Sequence, residues 1–195
     1  MKYLPGLIML ALLGGCSVLP ENTPSQLYRL PSPELAVIHR DDVQGTLDIR
    51  APSADRLLAS DHIVVWPDAQ QVSVYADARW HDNLPAMLKR QWQNALYATR
   101  IALPAETGEQ GIDARLVAEL GDFHIDYQNG VPTAVMRAQF TLLDGADGQR
   151  LASQQFYARQ TAQSEDVPEA VAALGKVSEQ LTFQLMQWLD DQLNP

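Results

Sequence analysis

Cysteine carries the most direct covalent chemistry of any side chain, and this chain of 195 residues contains a single one, Cys16. A disulfide within the chain needs a second cysteine, and a zinc site needs several ligands close together, so Cys16 serves neither. A thiol nucleophile needs a nearby base or cation to lower its pKa, and the surrounding sequence LLGGCSVLP supplies none. The chemistry left for Cys16 is covalent modification of its sulfur.

The residues before Cys16 follow the order of a secretory signal peptide. Lys2 is followed by an apolar run over residues 7–13 and then by two glycines. The run is far shorter than the roughly 20 apolar residues of a membrane-spanning helix. The leucine and two glycines directly before the cysteine resemble the bacterial lipobox, in which the sulfur is joined to diacylglycerol and the cysteine becomes the first residue. We therefore predict a lipoprotein signal peptide over residues 1–15 and lipidation at Cys16; the alternative is an ordinary secreted protein.

The remaining sequence divides into a tether and one domain. Residues 16–26 are rich in proline and small polar residues, as expected of a linker between an anchor and a folded body. Residues 27–195 are enough for a single domain that buries about 70 percent of its unfolded surface. We predict one domain over this range.

Charge and anchor together predict where the protein resides. The net charge of −10 argues against nucleic acid as a partner and against electrostatic binding to anionic lipid. Membrane attachment must then come from acyl chains. By the sorting rule known for bacterial lipoproteins, aspartate after the lipidated cysteine favours the inner membrane, and here Ser17 stands at that position. We expect the periplasmic face of the outer membrane.

The other residues capable of chemistry are scattered. The sequence shows no HExxH zinc motif, no GxSxG nucleophile elbow and no phosphate-cradling glycine loop. We therefore predict no catalytic residue, no metal and no cofactor. The histidines, which lie far apart in the chain, are His39, His62, His81 and His124. Of these, His124 falls in a predicted strand, where a structural histidine is expected.

Apolar periodicity predicts the elements that position these residues. Alternation predicts strands at residues 47–51, 62–66 and 71–76, with the last two paired across a turn. Between the first two, Ser53 is predicted to cap a short helical turn.

The second half of the chain predicts two further kinds of element. A three-stranded antiparallel meander is expected at residues 114–127, 133–144 and 150–161, and amphipathic helices at 81–99 and 167–193. This order predicts the α/β class, with a mixed, partly antiparallel sheet and two long helices in a three-layer α/β/α arrangement.

Aromatic side chains suggest where a partner binds. Trp92 and Trp188 lie on the apolar helix stripes and are predicted to be core residues. Large amphipathic side chains at element ends are typical of protein interfaces. The candidate interface residues, all apolar or aromatic and close to the ends of predicted elements, are Tyr28, Leu30, Trp66 and Trp80.

Nearly the whole sequence after Cys16 resembles the auxiliary lipoproteins of ABC-type transport systems, the PqiC-like group. The order of several segments, rather than any single motif, carries the resemblance. These segments are LYRLPSP at 27–33, ADARWHDNLPAMLKRQWQNAL at 76–96, ARLVAELGDFHIDYQNG at 114–130 and EAVAALGKVSEQLTFQLMQWL at 169–189.

The resemblance implies a partner and a role. The partner would be an MCE-domain substrate-binding protein, which works with an inner-membrane permease and ATPase to move phospholipid or other hydrophobic molecules between the two membranes. The lipoprotein would dock this conduit at the outer membrane, support envelope integrity and form a homo-oligomer. Two alternatives remain: a carrier that itself holds an acyl chain, and a structural envelope lipoprotein that acts on a peptidoglycan enzyme.

Overall fold

A computed structural model of the chain describes residues 25–31, 33, 43, 45–105, 111–128 and 130–194. The predicted signal peptide, Cys16 and all but the last two residues of the predicted tether lie outside the described residues. Within them, no helix is both long and apolar enough to cross a membrane.

The described chain forms a mixed sheet of nine strands and two helices. In chain order the elements are β1 (Gln26–Tyr28), β2 (Thr46–Ile49), β3 (Ser53–Ala54), β4 (His62–Asp68), β5 (Gln71–Trp80), α1 (Leu84–Thr99), β6 (Leu103–Pro104), β7 (Ala114–Asp126), β8 (Thr133–Asp144), β9 (Arg150–Thr161) and α2 (Val167–Leu193). The predicted strand pair, meander and helices are confirmed, while β3 and β6 were too short to predict.

Strand β7 organises the sheet because it has neighbours along both sides. On one side it pairs antiparallel with β8, which in turn pairs antiparallel with β9. On the other side β2, β3 and β4 follow one another along β7, all parallel to it. Strand β5 pairs antiparallel with β4, and β1 pairs parallel with the end of β5. The antiparallel meander and the parallel strands thus belong to one sheet.

A β-bulge at Gly121 changes which side chains of β7 face the core. The register between β7 and β8 shifts between Leu120 and Asp122. Before the bulge Leu120 is buried on the helix side, and after it Phe123 is buried there instead. Because one inserted residue reverses the alternation of a strand, Asp122 and His124 turn to the opposite face.

Both helices pack on the same face of the sheet. Trp92 on α1 contacts Phe140 edge-on, and Trp188 on α2 contacts Phe156 on the neighbouring strand in the same way. The helices also contact each other, since Ser178 Oγ donates a hydrogen bond to Gln91 Oε1 over 2.8 Å. The mixed α/β class and the two long helices are confirmed. The described residues form two layers, however, where three were expected, because the helices lie side by side.

The opposite face of the sheet, called the open face below, carries polar side chains. On β9 the outward positions Ser153, Gln155 and Tyr157 are all exposed. A strand with one buried and one polar face is typical of an antiparallel sheet covered on one side.

The predicted helical turn near Ser53 has a different cap. Ser53 belongs to β3, and its hydroxyl donates to the carbonyl of Ala118 over 3.2 Å. The turn that follows is capped by Asp55, whose Oδ1 accepts the N–H groups of Leu57 and Leu58 at 2.8 and 2.9 Å. Ser53 was the wrong choice because its backbone is drawn into the sheet by β7.

Candidate partner-binding surface

The first candidate residues lie where β1 joins the edge of β5. Tyr28 stands beside Trp80 in this parallel pair. The carbonyl of Tyr28 accepts the backbone N–H of His81 over 2.8 Å and lies 3.2 Å from His81 Nδ1. Since a carbonyl oxygen only accepts, that ring nitrogen carries the proton. The chain entering from the amino terminus is thereby held against the start of α1.

The four predicted interface residues do not form one surface. Trp80 is only 1% exposed and packs against Phe123 on the helix side of the sheet. Trp66 lies on the open face, while Tyr28 and Leu30 are half-buried beside the core. The Trp80 side chain is therefore part of the core next to Tyr28 and is not exposed for contact with a partner.

A cleft lies between the chain after β1 and helix α1, next to Tyr28. It has a volume of about 140 Å³ and opens to solvent. The amino-terminal segment contributes apolar side chains to the lining, and α1 with the residues before it contributes mostly polar ones. The lining residues are Leu30, Pro31, Pro33, His81, Met87, Arg90, Gln91 and Asn94. We call this feature the N-terminal cleft.

The amino-terminal segment lies close against α2 beneath the cleft. A Cβ atom placed on Gly175 would meet Pro31 Cγ at 2.6 Å, closer than real Cβ atoms approach any neighbour. Only glycine lets the proline ring reach the helix backbone at this position. The close approach fixes one wall of the N-terminal cleft.

Gln91 is buried at the floor of the N-terminal cleft, with 6% of its surface exposed. Its Oε1 accepts from Ser178, but its Nε2 has no hydrogen-bond partner. A buried donor without a partner costs on the order of 1–3 kcal/mol. Among the described side chains that line the cleft, only Gln91 has a buried polar atom without a partner.

Charged residues at the start of α1 border the same cleft. Arg90 donates to Asp82 Oδ2 over 2.9 Å, and this bond, with the backbone N–H of Asn83, lowers the pKa of the Asp82 carboxyl below its usual range. Asn83 caps the helix by accepting the N–H of Ala86 over 3.0 Å. Arg90 is thus oriented along the rim of the cleft by a carboxylate that stays ionised at neutral pH.

A second cluster surrounds Trp66 on the open face. The indole stacks on His124 with ring centroids 4.0 Å apart, and His124 is only 3% exposed. Burial lowers the pKa of His124, and the nearby Asp122 opposes this shift only in part. Asp122 in turn accepts the Nε–H of Arg137 over 2.6 Å. The imidazole is therefore neutral at pH 7, as predicted for a structural histidine.

The described residues contain no group of three or more histidine, cysteine or acidic side chains placed to hold a metal ion. Of the predicted interface residues, Leu30 lines the cleft and Tyr28 lies next to it, whereas the side chains that α1 contributes to the cleft were not predicted. The spacing of Met87, Arg90 and Asn94 along one helix stripe was the available signal. It was missed because Gln91, in the middle of this stripe, is polar, and no pattern predicted that it is buried.

The family model of the ABC-type transport auxiliary lipoprotein component matches residues 28–185. The chain belongs to this family. The match runs from Tyr28, the last residue of β1, to Leu185 in α2, and so includes most of the sheet, α1 and the residues that line the N-terminal cleft. A comparison with curated proteins found no match.

Solved structures of similar fold support the architecture of this family member. Protein XCC0632 from Xanthomonas campestris, assigned to the family DUF330, is 24% identical, with a TM-score of 0.75 over 86% of this chain and 96% of that chain. The hypothetical protein CT253 from Chlamydia trachomatis is 11% identical, with a TM-score of 0.55 over 78% of this chain and 99% of that chain. At these identities the likeness shows the fold alone.

Proposed function

We propose that this auxiliary lipoprotein is a non-enzymatic docking component that holds an MCE-type conduit at the periplasmic face of the outer membrane and so supports envelope integrity. The observation that carries the proposal is the family match over residues 28–185, which makes the chain an auxiliary component of an ABC-type transport system. A component of this kind acts by binding and positioning.

The anchor is part of the proposal. A lipidated Cys16 carries more than one acyl chain, and each buried methylene contributes about 0.8 kcal/mol, so attachment is firm. Strand β1 begins at Gln26, ten residues beyond Cys16. An extended chain of that length reaches on the order of 35 Å. The domain is then confined to a shell next to the membrane in which the end of a periplasmic conduit can meet it.

The packing between sheet and helices favours docking over the carrier alternative. The space that an acyl chain would occupy is filled by side chains such as Trp92 and Phe140, whose rings lie 5.1 Å apart and are both fully buried. Ligand pockets usually measure about 300–1,000 Å³, whereas the N-terminal cleft holds about 140 Å³. A lipid tail would require this core to be repacked.

We place the docking contact at Tyr28, Leu30 and the N-terminal cleft. This region combines half-buried apolar side chains with Arg90 and with the unpaired Nε2 of Gln91, which is the mixture of anchors and polar groups found at protein interfaces. A partner backbone carbonyl or carboxylate is the group that these donors fit.

Affinity capture tests the proposal. The lipoprotein is isolated from gently solubilised membranes, and both proteins and lipids in the eluate are identified by mass spectrometry. Docking predicts an MCE-domain protein and no stoichiometric lipid bound to the lipoprotein itself. Stoichiometric lipid without an MCE protein would support the carrier, and a peptidoglycan synthase in its place would support the structural alternative.

Two tyrosine variants localise the contact. Tyr28→Ser should reduce recovery of the MCE protein, because it removes an aromatic side chain beside the cleft. Tyr97→Ser is the matched control, since Tyr97 is 60% exposed on α1 and does not line the cleft. Equal recovery with both variants would move the contact elsewhere on the molecule.

A further inference from the structure

The open face carries a pocket above the bulge of β7. It opens to solvent and has a volume of about 320 Å³, within the usual range of small-molecule sites. Three neighbouring strands form its floor, since Glu119 on β7 is paired with Gln139 on β8, which is paired with Gln155 on β9. Gly121 and Arg137 complete the lining. The docking role proposed above does not use this pocket.

The bulge fixes the position of Arg137. By reversing the alternation of β7 it turns Asp122 to the open face, where the carboxylate accepts the Nε–H of Arg137 over 2.6 Å. Asp122 is only 8% exposed, and a charge-assisted bond to a buried carboxylate holds a guanidinium in one orientation. Arg137 Nη2 would lie 3.6 Å from a Cβ atom placed on Gly121, so the guanidinium rests against the bulge. Arg137 therefore enters the pocket from a rigid support.

The terminal nitrogens of Arg137 are free to bind an anion. The bond to Asp122 uses Nε, and no described residue accepts a hydrogen bond from either terminal nitrogen. The Arg137 side chain is 47% exposed. The terminal nitrogens of a guanidinium form a fork that matches the oxygens of a carboxylate or phosphate. One side of the pocket is thus suited to an anionic group.

Glu119 brings the opposite charge to the same pocket. Its side chain is exposed, and it forms no ion pair with Arg137 or with any other described residue. Glu119 is paired with Gln139, and Arg137 lies further along the same strand as Gln139, so the two charges are diagonal neighbours. Two opposite charges that share a pocket without meeting leave a gap that a ligand carrying both charges can fill.

Two glutamines supply uncharged hydrogen-bonding groups. Gln139 donates from Nε2 to Ser153 Oγ over 2.9 Å, and its Oε1 has no partner among the described residues. The side-chain amide of Gln155 is exposed and is likewise without a partner in the described part of the chain. A ligand can therefore bond to one acceptor and to one complete amide beside the two charges.

The lining and the charge of the chain select a small zwitterion. None of the lining residues has an apolar side chain, so a phospholipid bound through its headgroup would leave its acyl chains against a polar surface. A ligand with net negative charge would be repelled by a protein of net charge −10, whereas a zwitterion would not. An α-amino acid group, which carries a carboxylate and an ammonium on one carbon, meets both conditions.

We propose that the open-face pocket binds a zwitterionic α-amino acid group. The carboxylate lies on the terminal nitrogens of Arg137, and the ammonium lies on Glu119. The amides of Gln139 and Gln155 bond to the rest of the ligand. Two sources have this chemistry: a free amino acid, and a peptide in which the side chain of a diamino dicarboxylic acid ends in such a group. The proposal is independent of the docking role.

Ligand-observed NMR tests the proposal on the full-length lipoprotein in deuterated detergent. Saturation-transfer titrations give a Kd for alanine, meso-diaminopimelate, acetate, methylammonium and glycerophosphoethanolamine, and micelles without protein supply the background. The expected result is saturable binding of the two amino acids. Acetate and methylammonium, which each keep only one of the two charges, should bind about fivefold to tenfold more weakly.

The comparison between ligands identifies the source. Diaminopimelate that binds more tightly than alanine would support the proposal and assign the pocket to peptides, and equal or weaker binding would support it and assign the pocket to free amino acids. Acetate that binds as tightly as alanine would show an anion site alone and overturn the proposal. Glycerophosphoethanolamine that binds more tightly than both amino acids would overturn it in favour of a lipid headgroup. Failure of both amino acids to saturate the protein would also overturn it.

Variants locate the binding at the pocket. Glu119→Gln should weaken alanine binding about threefold to fivefold and leave the Kd of acetate unchanged, because only the ammonium loses its partner. Glu165→Gln is the matched control, since Glu165 is exposed and does not line the pocket. Asp122→Asn combined with Arg137→Gln removes the guanidinium without leaving a buried charge unpaired, and it should abolish binding of both ligands. The Tm of each variant shows that it is folded. An alanine Kd that is the same in all the folded variants would overturn the proposal.

Discussion

The rings of Trp66 and His124 lie parallel to within 9°, with centroids 4.0 Å apart, on the face of the sheet opposite the helices. The stack depends on the bulge at Gly121, which turns His124 to that face. It covers an imidazole that would otherwise be open to water, and burial then lowers its pKa.

His124 makes stability depend on pH. Its pKa is lower in the folded protein than its ordinary value of 6.5, so the unfolded state binds more protons as the pH falls through 6.5. The free energy of unfolding should therefore decrease from pH 7 toward pH 5. His124→Phe keeps the stack and removes the titration, so its Tm should fall less over this range. Parallel Tm curves for the two proteins would show that His124 does not control this window.

Trp80 should behave as a core residue. Because the side chain is 1% exposed and packs against Phe123, Trp80→Ala should lower the free energy of unfolding by about 3–5 kcal/mol. Chemical denaturation of the purified protein measures this loss. A change below about 1 kcal/mol, which is typical of surface substitutions, would contradict the buried position.

Gly175 and Pro31 should be energetically coupled. Alanine normally stabilises a helix interior by up to about 1 kcal/mol relative to glycine, but here its Cβ would overlap the proline ring. Gly175→Ala should therefore destabilise the protein by about 1–3 kcal/mol and expose the amino-terminal segment to protease. Adding Pro31→Ala should reverse most of the loss. Independent, additive effects in this double-mutant cycle would rule out the close approach.

Gln91 and Ser178 should also be coupled. Ser178→Ala leaves the buried Gln91 Oε1 without its donor and should cost about 1–3 kcal/mol. Gln91→Leu leaves the Ser178 hydroxyl without its acceptor but also removes the unpaired Nε2, so it should cost less than Ser178→Ala. Replacing both removes the buried polar pair, so the double variant should lie close to the wild type in stability. Urea unfolding of the four proteins tests this, and a double variant that loses the sum of both would refute the bond.

Much of the fold could be predicted from local sequence. The helix over 167–193 and the strands at 133–144 and 150–161 match their predicted bounds, because apolar periodicity over such lengths is specific. Short strands could not be predicted, since β3 and β6 contain two residues each and exist only because β7 and β2 provide partners. The number of layers could not be predicted from local sequence either. An amphipathic pattern indicates that a helix packs on a sheet, but it does not indicate which face of the sheet the helix covers.

The role of the four candidate interface residues stays a prediction, and the structure separates them by position. Leu30 lines the N-terminal cleft, and Tyr28 lies beside it at the end of β1. Trp80 looked equally suitable in sequence, yet pairing with β1 and packing on Phe123 bury it. Whether an aromatic residue at an element end is covered depends on contacts distant in sequence. The lipidation of Cys16 stays a prediction of the sequence, outside the described residues.

Site-specific crosslinking in intact cells tests the central claim most directly. A photo-reactive amino acid is placed at Tyr28, beside the N-terminal cleft, and separately at Tyr97, which is exposed and does not line it. The docking role predicts a covalent adduct with an MCE-domain protein from position 28 and none from position 97. Adducts of equal yield from both positions, or an adduct only with a peptidoglycan enzyme, would contradict it.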